Sequence, residues 1–256
     1  VTDRDVMIAI SQSGETEEII KLIDGIKKTK APLIAMTSNR RSTLARQADL
    51  AQDWFFFKET FSRAFRAVLF LKNLRDKART DGTANGNYGL LPCGYGDSGI
   101  GGIRPELTNT LWTLIGLKAW LRVARRFHLP GTSEIQNFYY TLSAAFFKAA
   151  QQEMRPHPAG FSFLPMLMKN DPRWEDPDPK KQPRPQAAQI YVSHAIYPGL
   201  LFQREDPIVG GHFQLMDNIT REEVPIESGW LNHQAIWTYH AAILAEVYLW
   251  AGMPDR

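Results

Sequence analysis

The sequence predicts a mainly α-helical chain preceded by a short, incomplete α/β unit. Two patterns carry this prediction. Beyond position 55, apolar residues recur at three- and four-residue spacings around 61–74, 107–120 and 138–149, as the buried faces of helices do. Before position 54, two short apolar runs, VMIAI at 6–10 and APLIAM at 31–36, enclose one helical pattern, the order of a parallel-sheet unit. The expected division is residues 1–54 for the α/β unit and 55–256 for the helical part, with no Ser/Gly-rich linker between them.

At 256 residues the chain has room for one large domain or two small ones. A hydrophobic share of 44% against 22% charged residues is that of an ordinary globular protein. The net charge of +3 is too small to point to nucleic acid or a membrane surface, so neither is expected as a partner. No run approaches the ~18 apolar residues of a membrane span, and no secretory signal is visible. A single cysteine, Cys93, excludes an internal disulfide and a multi-cysteine metal cage. A reducing, cytoplasmic location is expected for it. Beginning at Val1 and ending in MPDR, the chain is expected to be a segment or an unusual gene product.

In the α/β unit, Ile19, Ile20, Leu22, Ile23 and Ile26 mark the helix between the two strands, and Ser42 is placed to cap a short helix over TLARQAD. The chemistry lies in SQSGET. Ser11, Gln12, Ser13 and Thr16, with the N–H of Gly14, gather at a helix N-terminus, where unsatisfied N–H groups and the positive dipole end favour an anion. The same hydroxyls can serve as plain caps, and the residues alone leave both readings open.

ISQSGETEEI, with PLIAMTSN and STLARQAD downstream, is similar over about residues 5–53 to the sugar isomerase (SIS) domain family. In that family the SxSGET loop grips the phosphate of a sugar phosphate. The resemblance therefore implies a sugar-phosphate ligand held by Ser11, Gln12, Ser13 and Thr16, with residues 37–42 beside it. It also implies an incomplete unit, since a full SIS domain is longer, and an oligomer or second chain is expected to complete it. No histidine occurs before His128, and the acids near the loop are Glu15, Glu17 and Glu18. Isomerase catalysis is not expected from this piece alone.

The helical part opens with DWFFFKETF, leading into an amphipathic pattern at Phe61, Phe65, Val68, Leu69, Leu71 and Leu74. DGTANGN is a turn-rich loop. Residues 89–120 then form a glycine-rich loop with one acid, Asp97, opening into a helix expected to start at Pro105 and Glu106. That helix buries Leu107, Leu111, Leu114, Ile115, Leu117 and Trp120. Glycines 94, 96, 99, 101 and 102 suit a loop lining a pocket, and equally a plain connection capping a core helix.

YGLLP, GDSGIGG and the run Thr108, Asn109 to Trp112 together resemble the six-hairpin glycosidase superfamily, the (α/α)6 toroids, with Ser98 standing where that pattern has glycine. The resemblance implies a partial (α/α)6 toroid, partial because the chain offers about six or seven helices where a full toroid has twelve.

Further along, LPGT breaks the chain before a helix carrying Phe138, Leu142, Ala145, Phe146 and Ala149. Residues 154–169 read as loop with short turns, and the proline-dense 171–185 as an exposed loop whose Glu175 and Asp176 are expected to be solvated surface acids, the alternative being that they reach into a cleft. Residues 186–197 and 206–218 read as helices. The last block, PIESGWLNHQAIWTYHAAILAEVYLWAG, is a loop with one acid, Glu227, followed by a long helix. It too resembles the six-hairpin family, in which a late hairpin begins with an aromatic-rich loop. Aromatic rings near loop acids suit sugars; the same rings can simply fill a core. Trp230, His233 and Trp237 are the substrate-contact candidates. His233 and His240, seven apart, would share a helix face, but no third ligand is in step with them, so no metal is expected. HExxH, GxSxG, a complete P-loop and a GxGxxG placed after a strand are all absent, and no cofactor is expected.

The leading expectation is a carbohydrate-active protein of glycoside-hydrolase type, with Asp97 and Glu227 as the acid–base carboxylates. The alternatives are an SIS-type sugar-phosphate-binding or isomerising protein, and a non-catalytic fused or truncated product.

Overall fold

Two units make up the chain, Val1–Ala67 and Val68–Arg256. The computed structural model describes residues 2–10, 15–36, 42–48, 50–82, 88–95, 100–228 and 235–255. Helices dominate: eight α-helices occur among the described residues, with paired strands of four residues or fewer.

In the first unit, β1 (Met7–Ile10) and β2 (Leu33–Met36) pair in parallel, Met7 opposite Leu33 and Ala9 opposite Ala35. A parallel pair needs a crossover, and α1 (Glu17–Lys28) supplies it. Its first turn carries Glu17 and Glu18 and its last Lys27 and Lys28, each sign matched to the dipole end it faces. Met7, Ala9, Ile19, Ile20 and Ala35 pack around the buried Ile23, Ile26, Ala31, Leu33 and Leu44. Strand alternation then turns Ile8 the other way, and it is 56% exposed. Ile8 thus faces away from the core, which lies on one face of β1. Ser42 caps α2 (Thr43–Gln47) as expected, its Oγ accepting the Ala45 N–H at 3.2 Å.

Helix α3 (Leu50–Thr80) runs across the division between the units. In the second unit its C-terminal half carries Arg75, which is 4% exposed. Its Nε donates to the Gly89 carbonyl at 2.7 Å, and its two terminal nitrogens donate to Oγ1 and the carbonyl of Thr141 at 2.8 and 3.1 Å. A planar guanidinium makes all three bonds from one side chain.

Helix α4 (Thr108–Arg126) packs on α5 (Thr132–Glu153), and Leu111, Leu114 and Leu117 of α4 and Ile135, Phe138, Leu142 and Phe146 of α5 are all buried. α4 starts after Pro105 and Glu106, a correction to the expected start. Residues 105–107 instead pair backbone with the 166–168 segment, Leu107 N–H donating to Met166 O at 2.8 Å and Met168 N–H to Pro105 O at 3.0 Å.

Short antiparallel pairs punctuate the unit: β3 (Gly94–Tyr95) with β4 (Ile103–Arg104), β5 (Arg155–Pro156) with β6 (Ser162–Phe163), and β7 (Thr220–Arg221) with β8 (Val224–Pro225). The region read as loop with short turns at 154–169 contains the short β5–β6 hairpin. Helices α6 (Ile190–Ile196), α7 (Pro207–Ile219) and α8 (Thr238–Ala251) complete the unit. At Gly211 a side chain would overlap the Ser162 carbonyl, so glycine is what lets α7 lie against β6. No helix is long and apolar enough to cross a membrane, among the described residues.

Residues 171–185 depart furthest from expectation. Asp171 is 1% exposed and caps a 3-10 turn over Pro172–Glu175. Its Oδ1 accepts the Arg173 backbone N–H at 3.0 Å and the Arg173 Nε–H at 3.2 Å, and its Oδ2 faces Arg104 Nη1 at 3.6 Å. Two guanidinium groups supply the compensation that a buried carboxylate requires.

Candidate functional site

In the first unit, the parallel strand β1 leads through one loop into α1, so that the loop ends at the helix N-terminus. Thr16 occupies the N-cap with extended backbone. Beside it, Glu15 Oε1 accepts the Thr43 backbone N–H at 2.7 Å, joining this loop to the start of α2. That backbone bond, then the Thr43 side chain, hold the Glu15 carboxyl below the usual range, with Arg46 adding a smaller attraction. Ser11, Gln12 and Ser13, and residues 37–41 of the second loop, lie outside the described residues. What the geometry offers is an N-terminal turn of α1 with a hydroxyl residue at its cap and a neighbouring loop tied to it, an arrangement suited to a phosphate.

In the second unit, Asp97, Trp230 and His233 also lie outside the described residues. Glu227 is exposed; its Oε2 accepts from Gln186 Nε2 at 3.0 Å, and its carbonyl accepts from Arg184 Nη1 at 3.3 Å. Trp237 is the N-cap of α8, its N–H donating to Ser228 Oγ at 3.0 Å. Arg184, Gln186, Gln189, Trp237 and His240 line one small cleft, and Glu227 is bonded to two of them, Arg184 and Gln186. α8 begins at Thr238; the expectation that His233 and His240 share a helix face involves His233, which lies outside the described residues.

Two polar clusters were not read from the sequence. The first surrounds Glu106, which is 1% exposed. Its Oε2 accepts the Asn109 backbone N–H at 3.0 Å and the Thr108 hydroxyl, and its Oε1 accepts from Asn109 Nδ2 at 2.7 Å. Burial pushes its carboxyl up, and these donors pull it part of the way back. The proline–acid pair signalled a helix start, but nothing in the spacing signalled a buried carboxylate.

The second joins α6, α7 and α8. Ser193 Oγ lies 2.9 Å from His212 Nε2 and 3.3 Å from His240 Nε2, and His212 Nδ1 lies 3.0 Å from Gln189 Oε1. Hydrogen-bond roles assign the tautomers. Gln189 Nε2 donates to the Leu164 carbonyl at 2.8 Å, so Gln189 Oε1 accepts and His212 carries its proton on Nδ1. His212 Nε2 then accepts the single Ser193 hydroxyl proton, and His240 donates from Nε2 to Ser193 Oγ. Burial drives both imidazoles strongly neutral, His212 down to about 3 and His240 to about 4, each helped by a neighbouring histidine. The three histidines involved in or near this core, His194 included, are 18 or more residues apart in pairs, a distance that periodicity does not bridge.

With these geometries in view, the comparisons with known proteins decide one point. Residues 1–69 match the SIS domain. Among curated proteins, the arabinose 5-phosphate isomerase KpsF of Escherichia coli is 43% identical over 60 residues, 23% of this chain and 19% of that protein. The arabinose 5-phosphate isomerase KdsD of Yersinia pestis is 46% identical over 50 residues, 20% of this chain and 15% of that protein. A probable arabinose 5-phosphate isomerase of Haemophilus influenzae is 49% identical over 49 residues, 19% and 14% of the two chains. The match thus spans less than a fifth of these relatives' length. No solved structure matches the chain. These findings support the SIS resemblance and give no support to the six-hairpin glycosidase resemblance.

Proposed function

We propose that the first unit binds a sugar phosphate, with Ser11, Gln12, Ser13 and Thr16 gripping the phosphate, and that its enzyme class is sugar-phosphate isomerase. The observation that carries this reading is the SIS match over residues 1–69. The relatives, named as arabinose 5-phosphate isomerases, suggest a pentose phosphate as ligand. Local structure agrees: a parallel β1–β2 pair, a loop leading to the α1 N-terminus, and Thr16 at the cap. Helix N–H groups and hydroxyls placed there complement a phosphate dianion. Residues 1–69 contain no histidine, so proton transfer at the sugar falls to Glu15, Glu17 or Glu18, or to a partner chain. The exposed face of β1 at Ile8 offers a place for such a chain to complete the layer. Phosphorus NMR tests the reading: arabinose 5-phosphate should shift and broaden on adding the protein, and Ser13→Ala should remove the effect. An unchanged ligand signal would sink it.

A second reading is favoured by one observation, the bond from Gln186, which lines a cleft together with Trp237, to the Glu227 carboxylate. In that reading the second unit cleaves or binds a glycoside, Asp97 and Glu227 supply the two carboxyl groups, and Trp230, His233 and Trp237 contact the sugar. It falls if Asp97→Asn and Glu227→Gln both leave glycosidase activity intact.

A further inference from the structure

The chain carries a net charge of +3, yet the charged residues lining one cavity of the second unit are all acidic. The cavity measures about 290 Å3 and lies between the β7–β8 turn and α8. Ala241, Leu244, Ala245 and Tyr248 face it from α8, at spacings of three and four that share one side of a helix. Alanine at 241 and 245 leaves room that longer side chains would fill. Leu244 and Tyr248 belong to the buried core with Leu215, Met216 and Ile219. Tyr248 is fixed twice, its ring stacked on Phe213 at 5.2 Å and its hydroxyl donating to Asp217 Oδ1 at 3.0 Å. The floor of the cavity is therefore rigid and largely apolar.

Asp217, Glu222, Glu223 and Asp255 supply the charge, and no lysine, arginine or histidine lines the cavity among the described residues. Arg221, adjacent in sequence, directs its Nη1 to the Asn218 and Thr220 carbonyls at 3.1 and 2.8 Å. Glu222 and Glu223 form the two-residue turn joining β7 to β8, and both are left-handed, with φ of 49° and 65°. Such a turn favours glycine or asparagine at both positions, so two carboxylates stand where the backbone alone would not place them. Among the described residues, no three His, Cys, Asp or Glu side chains converge closely enough to hold a metal ion. The negative charge is spread around an apolar floor, which suits an extended organic cation better than a point charge.

We propose that this cavity binds an aliphatic diamine, a short chain of methylene groups with an ammonium at each end. The methylene groups cover Ala241, Leu244 and Ala245, and the ammonium groups pair with the surrounding carboxylates. Small-molecule pockets begin at about 300 Å3, and a cavity of 290 Å3 fits a ligand of this modest size. The site lies in the second unit and is independent of the phosphate loop at residues 11–16.

The test uses the whole chain at constant ionic strength, with butane-1,4-diamine as the probe and butane-1,4-diol and magnesium chloride as comparisons. Calorimetric titration is expected to show saturable binding of the diamine and none of the diol. The double substitution Glu222→Gln, Glu223→Gln weakens it roughly tenfold, and Ser13→Ala leaves it unchanged. Ala245→Leu, at an exposed position, keeps every charge but fills the cavity, and abolishes binding. Thermal melting shows whether each variant is folded; if Ala245→Leu is not, the double glutamine variant decides alone, and an unchanged affinity there overturns the proposal. It is equally overturned if the diamine does not saturate, if magnesium binds as tightly, or if folded Ala245→Leu binds the diamine as the parent does. Those results would leave only a general attraction of cations to surface acids.

Discussion

Glu15 Oε1 accepts the backbone N–H of Thr43 at 2.7 Å, across 28 residues of sequence. The bond ties Glu15, just before the α1 N-cap, to the first residue of α2. Glu15→Ala is expected to weaken sugar-phosphate binding about two- to fivefold, through lost loop positioning, while Glu15→Gln retains most of it. Because the folded-state carboxyl is held below its ordinary value of 4.5, the bond's stabilisation is present above that pH and is lost as pH falls through the folded value. Calorimetric titration of the three proteins gives the comparison, and equal affinities would contradict it.

The buried imidazoles predict acid lability. His212 and His240 are held neutral, with values near 3 and 4 against the ordinary 6.5. A depressed histidine means that the unfolded chain takes up protons first. Stability is therefore full above about pH 6.5 and declines progressively as pH falls toward 4, by on the order of a few kcal/mol for the pair. Urea denaturation at pH 7 and pH 4.5, followed by a probe in the second unit, measures this. His212→Gln should flatten the decline, and an unchanged slope would contradict the assignment.

Arg75→Leu removes three hydrogen bonds to Gly89 and Thr141 and takes from the Gly89 carbonyl the donor that Arg75 Nε supplies. The expected loss is about 3 kcal/mol, with Arg75→Lys intermediate because one ammonium cannot span all three acceptors. A change below about 0.5 kcal/mol would show that the contacts are peripheral.

Gly94 in the glycine-rich loop has a sterically defined role. A Cβ there would overlap Asn109 Nδ2 and stand 3.3 Å from Glu106 Oε1. Gly94→Ala should displace the Asn109 amide from Glu106 and cost about 1–3 kcal/mol. Thermal melting checks it, and a variant as stable as the parent would show that the loop gives way freely.

What the sequence disclosed divides along a physical line. Helices α1, α3, α4 and α5 announced themselves by apolar periodicity and strands β1 and β2 by short apolar runs, both of which are local signals. Ser42 was identified as a cap for the same reason, since its partner Ala45 lies three residues on. Asp171 was misread as part of an exposed loop because proline and charge dominate its neighbours, while Arg104, which helps to bury it, is remote in sequence. Ser193, His212 and His240 meet only through the packing of three helices. Glu106 looked like a dipole acid, and its burial depends on the 166–168 segment pairing beside it. Local chemistry could be read from the sequence, whereas chemistry assembled from distant segments required the fold.

The most direct measurement is the thermal unfolding of the whole chain with and without millimolar arabinose 5-phosphate. A ligand that binds the folded state raises the melting temperature by mass action. The account predicts a rise of several degrees with the sugar phosphate, none with arabinose, and loss of the rise in Ser13→Ala. The same melting temperature with and without arabinose 5-phosphate, or an equal rise in Ser13→Ala, would contradict a phosphate site at residues 11–16.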